Sequence, residues 1–99
     1  MNNFNFLSKT PKEIDKLIAA RIRNIRRRRK ISQKRLSEKS GVSLGSVKRF
    51  ESSGEISLIS LTKIAIALDL ENELEGLFEH VPFLSIEEII NGEDEKTES

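Results

Sequence analysis

Residues 32–51 constrain this chain more tightly than any other stretch. They read Ser-Gln-Lys-Arg-Leu-Ser-Glu-Lys-Ser-Gly-Val-Ser-Leu-Gly-Ser-Val-Lys-Arg-Phe-Glu, which predicts two short helices joined at Gly41-Val42-Ser43. Ser32 is an N-cap candidate for the first helix, about 33–40, whose apolar residue is Leu36. Ser43 is an N-cap candidate for the second, about 44–52, which carries Leu44, Val47 and Phe50 at helical spacing. Gly41 supplies the positive φ that so tight a corner requires.

The flanks extend the helical pattern in both directions. Thr10-Pro11-Lys12-Glu13 is a helix start, with a capping threonine, a proline at the first helical position and a glutamate that completes a capping box. The helix it opens places Ile14, Leu17, Ile18, Ile22 and Ile25 on one face, and Ile31 is a natural plug between helices. Ser53-Gly54 ends the third helix, and Ser57 caps a fourth whose buried stripe reads Leu58, Leu61, Ile64, Ala65 and Leu68. A fifth, roughly 71–78, offers Leu74, Leu77 and Phe78 to the same core. No window alternates in the manner of a strand, so the chain is expected to be all-α: a five-helix domain over residues 11–78 with a helix-turn-helix at helices 2 and 3.

Residues 1–10 read as a flexible N-terminal segment. Past Phe78 the character changes: residues 79–90 form an apolar C-terminal extension with Pro82 barring simple helix continuation and a capping box at Ser85-Ile86-Glu87-Glu88. That extension either folds back on its own domain or buries itself in a second copy, and a five-helix core that needs no further element favours a dimer or partner contact. Residues 91–99 read as a disordered acidic tail.

The net charge of +1 conceals two opposed regions. Residues 21–39 hold ten cations against one acid, Glu38, including the unbroken run Arg26 to Lys30. Residues 69–99 hold eleven acids against Lys96. Both regions are compatible with ordinary solvated helix faces, but five adjacent cations repel one another and a polyanion partner explains them better. The chain has no cysteine and a single histidine, His80, which reads as a solvated or capping residue. No metal constellation, phosphate loop or nucleophile–base pair stands out, so neither an enzyme nor a cofactor is expected. Neither a signal peptide nor a membrane-spanning run is present, and a cytoplasmic location is expected.

Residues 14–78 resemble the helix-turn-helix domain of phage repressor and Cro-like regulators, the Xre family. The resemblance is carried by several features in one order: a Ser-Gln pair opening helix 2, Leu36 three residues on, a Gly-Val-Ser turn, a Phe-Glu pair ending helix 3 and a glycine after it. It implies that Ser32 caps helix 2 and Gln33 meets a DNA phosphate, that Ser43 caps helix 3 against the backbone, and that helix 3 presents Leu44, Gly45, Ser46, Lys48 and Arg49 to the major groove. It also implies a structural ion pair between Arg26 and Glu51, and the acceptance of Ser37, where alanine is commoner, provided its hydroxyl bonds back to its helix. Leu44 and Gly45 depart from the polar amides often found at the start of this helix. The implied function is a sequence-specific double-stranded DNA-binding regulator, a homodimeric repressor on a palindromic operator. The phrasing from Phe78 through Ile90 resembles tails of Xre regulators encoded beside HipA-like kinases, which implies the alternative of an antitoxin that binds such a kinase and represses its own operon.

Overall fold

A computed structural model describes residues 8–82 and Ile90. The described residues form five helices: α1 (Pro11–Arg28), α2 (Gln33–Ser40), α3 (Leu44–Ser53), α4 (Leu58–Ala67) and α5 (Glu71–Glu75). Four of them begin on a side-chain cap. The hydroxyls of Thr10, Ser32, Ser43 and Ser57 accept from the backbone N–H three residues on, at 3.0 to 3.2 Å. At Thr10 the Glu13 carboxylate reciprocates, completing a capping box ahead of Pro11.

The helix ends are equally specified. Gly41 and Gly54 close α2 and α3 in the left-handed region, at φ 77° and 82°. At Gly54 a second constraint applies, because a Cβ there would stand 2.7 Å from the Asp15 carbonyl carbon and 2.9 Å from the Lys16 nitrogen. Only glycine lets the turn after α3 lie against the backbone of α1. Helices α1 and α4 end in Schellman turns built on non-glycine residues. Ile31 N–H returns to Arg26 C=O with Lys30 at φ 58°, and Leu70 N–H returns to Ala65 C=O with Asp69 at φ 57°.

The core consists of Ala19 from α1, Leu36 from α2, Val42 in the turn, Val47 and Phe50 from α3, and Ile64 and Leu68 from α4 and its cap. Around it pack Ile22, Ile31, Ile56, Leu61, Ala67 and Leu70. Helix α3 lies against α1 and α2, α2 also lies against α4, and α5 contacts α4.

Three expectations about the core are corrected. On α1 the buried positions are Ala19 and Arg26, with Ile22 and Ile25 half-buried, whereas Ile14, Leu17 and Ile18 are exposed at 45%, 36% and 37%. The apolar arc of α1 is wider than the surface its packing partner α3 covers, and the helix settles with Ala19 and Arg26 inward. Leu58 is 71% exposed, because it occupies the first position of α4, beyond the edge of the core. Helix α5 stops at Glu75, and Phe78 adopts φ 65° with 81% exposure, so Leu77 and Phe78 face solvent rather than the core. The expected apolar extension lies largely, and the N-terminal segment and acidic tail lie mostly or wholly, outside the described residues. No helix among those described is long and apolar enough to cross a membrane.

Candidate nucleic-acid interface

Of the residues singled out by sequence, Ser32, Gln33, Ser43, Leu44, Gly45 and Ser46 lie at the N-terminal ends of α2 and α3. Ser32 Oγ accepts from Arg35 N–H at 3.0 Å, which leaves the N–H groups of Gln33 and Lys34 without intrahelical acceptors. Ser43 Oγ accepts from Ser46 N–H at 3.1 Å and donates to Ser46 Oγ at 2.8 Å, leaving the N–H groups of Leu44 and Gly45 in the same condition. Two helix starts with outward-directed donors suit phosphate oxygens.

Along α3, Val47 and Phe50 are buried, Leu44 and Ser46 are half-buried, and Gly45, Lys48 and Arg49 are exposed. Arg49 lines a polar cleft shared with Asp15, Ser46, Glu55, Ser57 and Ser60, yet makes no ion pair with either acid among the described residues. Its guanidinium is therefore available. No Cβ contact restricts Gly45, so that point of the helix is open to a close approach.

The far end of α3 is locked to the other helices through Glu51. Arg26 Nε and Nη2 donate to the two Glu51 carboxylate oxygens at 2.7 and 2.9 Å, while Arg26 Nη1 donates to Ile31 C=O at 2.7 Å. Gln33 Nε2 donates to Glu51 Oε1 at 3.0 Å. Both ionic side chains are largely removed from water, at 10% and 3% exposure. Burial by itself would raise the Glu51 pKa. The hydrogen bonds from Arg26 and Gln33, with the charges of Arg26 and Arg23, outweigh it and hold the carboxyl below its ordinary value. A bidentate arginine–carboxylate pair with further donors on the same carboxylate is the arrangement in which a buried charge is tolerated.

Three contacts carry no clear signal in the sequence. Arg29 Nη1 donates to the Leu68 carbonyl, tying the C-terminal end of α1 to that of α4. Within the Arg26–Lys30 run, then, Arg26 and Arg29 have structural partners, and Arg27, Arg28 and Lys30 remain as exposed cations without ion pairs among the described residues. Ser37 Oγ donates at 2.6 Å to Val42 C=O, forward across the turn instead of back along its helix. Ser40 Oγ accepts from Val42 N–H at 3.1 Å, so both backbone groups of the buried turn residue are satisfied by serines of α2. Among the described residues no group of three or more His, Cys, Asp or Glu side chains is placed to hold a metal ion.

Caps at two helix starts, an exposed polar α3 and a pinned α2–α3 corner define a helix-turn-helix unit. The helix-turn-helix family model of Cro/C1 type matches residues 22–71, half of the chain. The chain belongs to this helix-turn-helix family and is a DNA-binding regulator of transcription. Searches of curated proteins and of solved structures returned no match.

Proposed function

We propose that the protein is a sequence-specific repressor that binds double-stranded DNA as a homodimer, with α3 in the major groove of each half of a palindromic operator. The observation that carries this reading is the contrast along α3: Val47, Phe50 and Glu51 are engaged with α1 and α2, while Gly45, Lys48 and Arg49 are exposed and neither cation forms an ion pair among the described residues. Ser32, Gln33 and Ser43 hold phosphates beside the two helix starts, and Leu44 to Arg49 read base edges. Leu44 suits a thymine methyl and Arg49 a guanine. One domain of this size covers little DNA, and two half-sites about one helical turn apart raise both affinity and selectivity. Selection from random double-stranded DNA tests the proposal, with a two-fold symmetric consensus as the expected outcome. An enriched site without symmetry would refute the dimer, and no enrichment would refute specific recognition.

A second reading is supported by a different surface. Leu77, Phe78 and Val81, close together in sequence beyond α5, are 52%, 81% and 58% exposed, and such apolar side chains suit a partner surface. The same surface suits dimerisation or an antitoxin's contact with a HipA-like kinase. Removing residues 79–99 and measuring mass by light scattering separates them. A monomer supports the dimer contact, whereas an unchanged dimer together with loss of a co-purifying kinase supports the antitoxin.

A further inference from the structure

Arg23 stands about one turn before Arg26 on α1 and is exposed. At about 100° of rotation per residue, it lies roughly 60° around the helix from Arg26. Arg29 lies roughly 60° around in the opposite sense, and its side chain reaches the C-terminal end of α4. Arg23 is close enough to Glu51 of α3 that its charge helps hold that carboxyl below its ordinary pKa, beside the larger effect of Arg26. Yet both Glu51 oxygens are taken by Arg26 and Gln33, and Arg23 forms no ion pair among the described residues. Two guanidinium charges therefore share one carboxylate, and the surplus charge is that of Arg23.

Glu51 also fixes where this charge stands relative to the start of α2. Gln33, the first residue of α2, donates to Glu51 Oε1 at 3.0 Å, and the N–H groups of Gln33 and Lys34 have no intrahelical acceptors. An anion held at that helix start would sit at the Glu51 corner, where Arg23 supplies the uncompensated cation. The arginines of the unbroken run are placed less well for it. Arg26 is engaged by Glu51 and Arg29 by the Leu68 carbonyl, and Arg28 occupies a helix position opposite Arg26, as does Arg21. Arg23 lies outside the run from Arg26 to Lys30 that stands out in the sequence.

We propose that Arg23 is a phosphate-positioning residue, whose guanidinium completes from α1 the site that Gln33 and the free N–H groups of α2 offer to one DNA phosphate. A planar guanidinium suits that task, because two of its N–H groups bond one phosphate side by side. The contact is to the DNA backbone, so it sets the register of the helix corner on the duplex and carries no base preference of its own. The proposal rests on the DNA-binding reading above and extends the interface from α2 and α3 to α1.

The test measures affinity for one random-sequence duplex between about 50 and 300 mM salt. It compares the full chain with Arg23→Gln, Arg23→Lys and Arg21→Gln, the last removing the same charge from the opposite side of α1. Arg23→Gln should weaken binding roughly three- to tenfold at the lowest salt and make the slope of log affinity against log salt shallower by about 0.9, the release of one counterion. Arg23→Lys should keep the wild-type slope, because an ammonium still neutralises the phosphate. Arg21→Gln should leave the slope as it is. A merely structural role for Arg23 would lower affinity at every salt alike, so an unchanged slope for Arg23→Gln would overturn the proposal while leaving DNA binding in place. An equal change of slope for Arg21→Gln, or a slope that Arg23→Lys fails to keep, would overturn it in the same way. Absence of any DNA binding by the unaltered chain would instead refute the DNA-binding reading itself.

Discussion

Gln33 Nε2 lies 3.0 Å from Glu51 Oε1, the same oxygen that takes Arg26 Nη2 at 2.9 Å. The first residue of α2 is thereby tied to the C-terminal half of α3, and both are tied to α1. The resemblance assigns Gln33 to a DNA phosphate, but the side chain is also a strut of the helix corner. An amide nitrogen has two hydrogens, so one can stay on Glu51 while the other meets an anion.

This double engagement separates two variants. Gln33→Ala should weaken binding to all DNA sequences alike and also lower stability by about 1 kcal/mol, the typical net value of one lost hydrogen bond. Arg49→Ala should leave thermal stability nearly unchanged and relax preference at one base pair per half-site by about 1–3 kcal/mol. Competition binding with single-base operator variants, beside thermal melts, reads both. Equal losses on specific and random DNA for Arg49→Ala would restrict that residue to phosphate contact.

The Arg26–Glu51 pair should make stability depend on acid. Because folding lowers the Glu51 pKa, its contribution is present above the ordinary glutamate value of 4.5 and is lost as pH falls through the lower folded value. Glu51→Gln leaves Arg26 buried without a counter-charge, and about 3–5 kcal/mol of stability should go with it. Urea melts between pH 3 and 7 should show the wild-type midpoint falling at the acid end and a shallower dependence in the variant.

Two glycines with nearly the same φ should respond differently to alanine. A Cβ at Gly41 would meet nothing within 4 Å, so Gly41→Ala should cost only the left-handed backbone penalty of about 1–2 kcal/mol. Gly54→Ala adds a collision with the α1 backbone at Asp15 and Lys16, and about 3 kcal/mol or more should be lost. Denaturant midpoints measured on the pair would isolate the packing contribution, and equal losses would argue that α1 yields freely.

Lys30 closes α1 at φ 58°, where glycine is the favoured residue. Lys30→Gly should raise stability by about 1 kcal/mol by relieving that conformation. A stabilised variant that also binds random DNA slightly less tightly would place the lysine charge near phosphate, since one lost contact reduces the salt slope by about one.

Local chemistry made much of the fold legible. Thr10, Ser32, Ser43 and Ser57 mark helix starts because each cap is a contact between residues three apart, and Gly41 and Gly54 mark ends because the left-handed φ is a property of one residue. The order of these signals suffices for an all-α helix-turn-helix domain. Periodicity was less decisive for burial. Ile14, Leu17 and Ile18 share an apolar arc with Ile22, but which part of a wide arc faces inward depends on the neighbour, and α3 approaches on the side of Ala19. Phe78 reads as a core residue only if α5 continues past Gly76, and the chain turns away there.

At the candidate site the division has the same origin. The residue types at the two helix starts and along α3 were legible before any fold was known, and with them a surface suited to a polyanion. Beyond the Arg26–Glu51 pair that the resemblance implies, the contacts that hold that surface come from the tertiary structure: Gln33 joins Arg26 on Glu51, Arg29 reaches Leu68, and Ser37 bridges to Val42. Caps and turns are short-range and repeat from protein to protein, so their residues announce them. A buried carboxylate shared by three helices depends on how separated segments approach, and no local pattern encodes that approach.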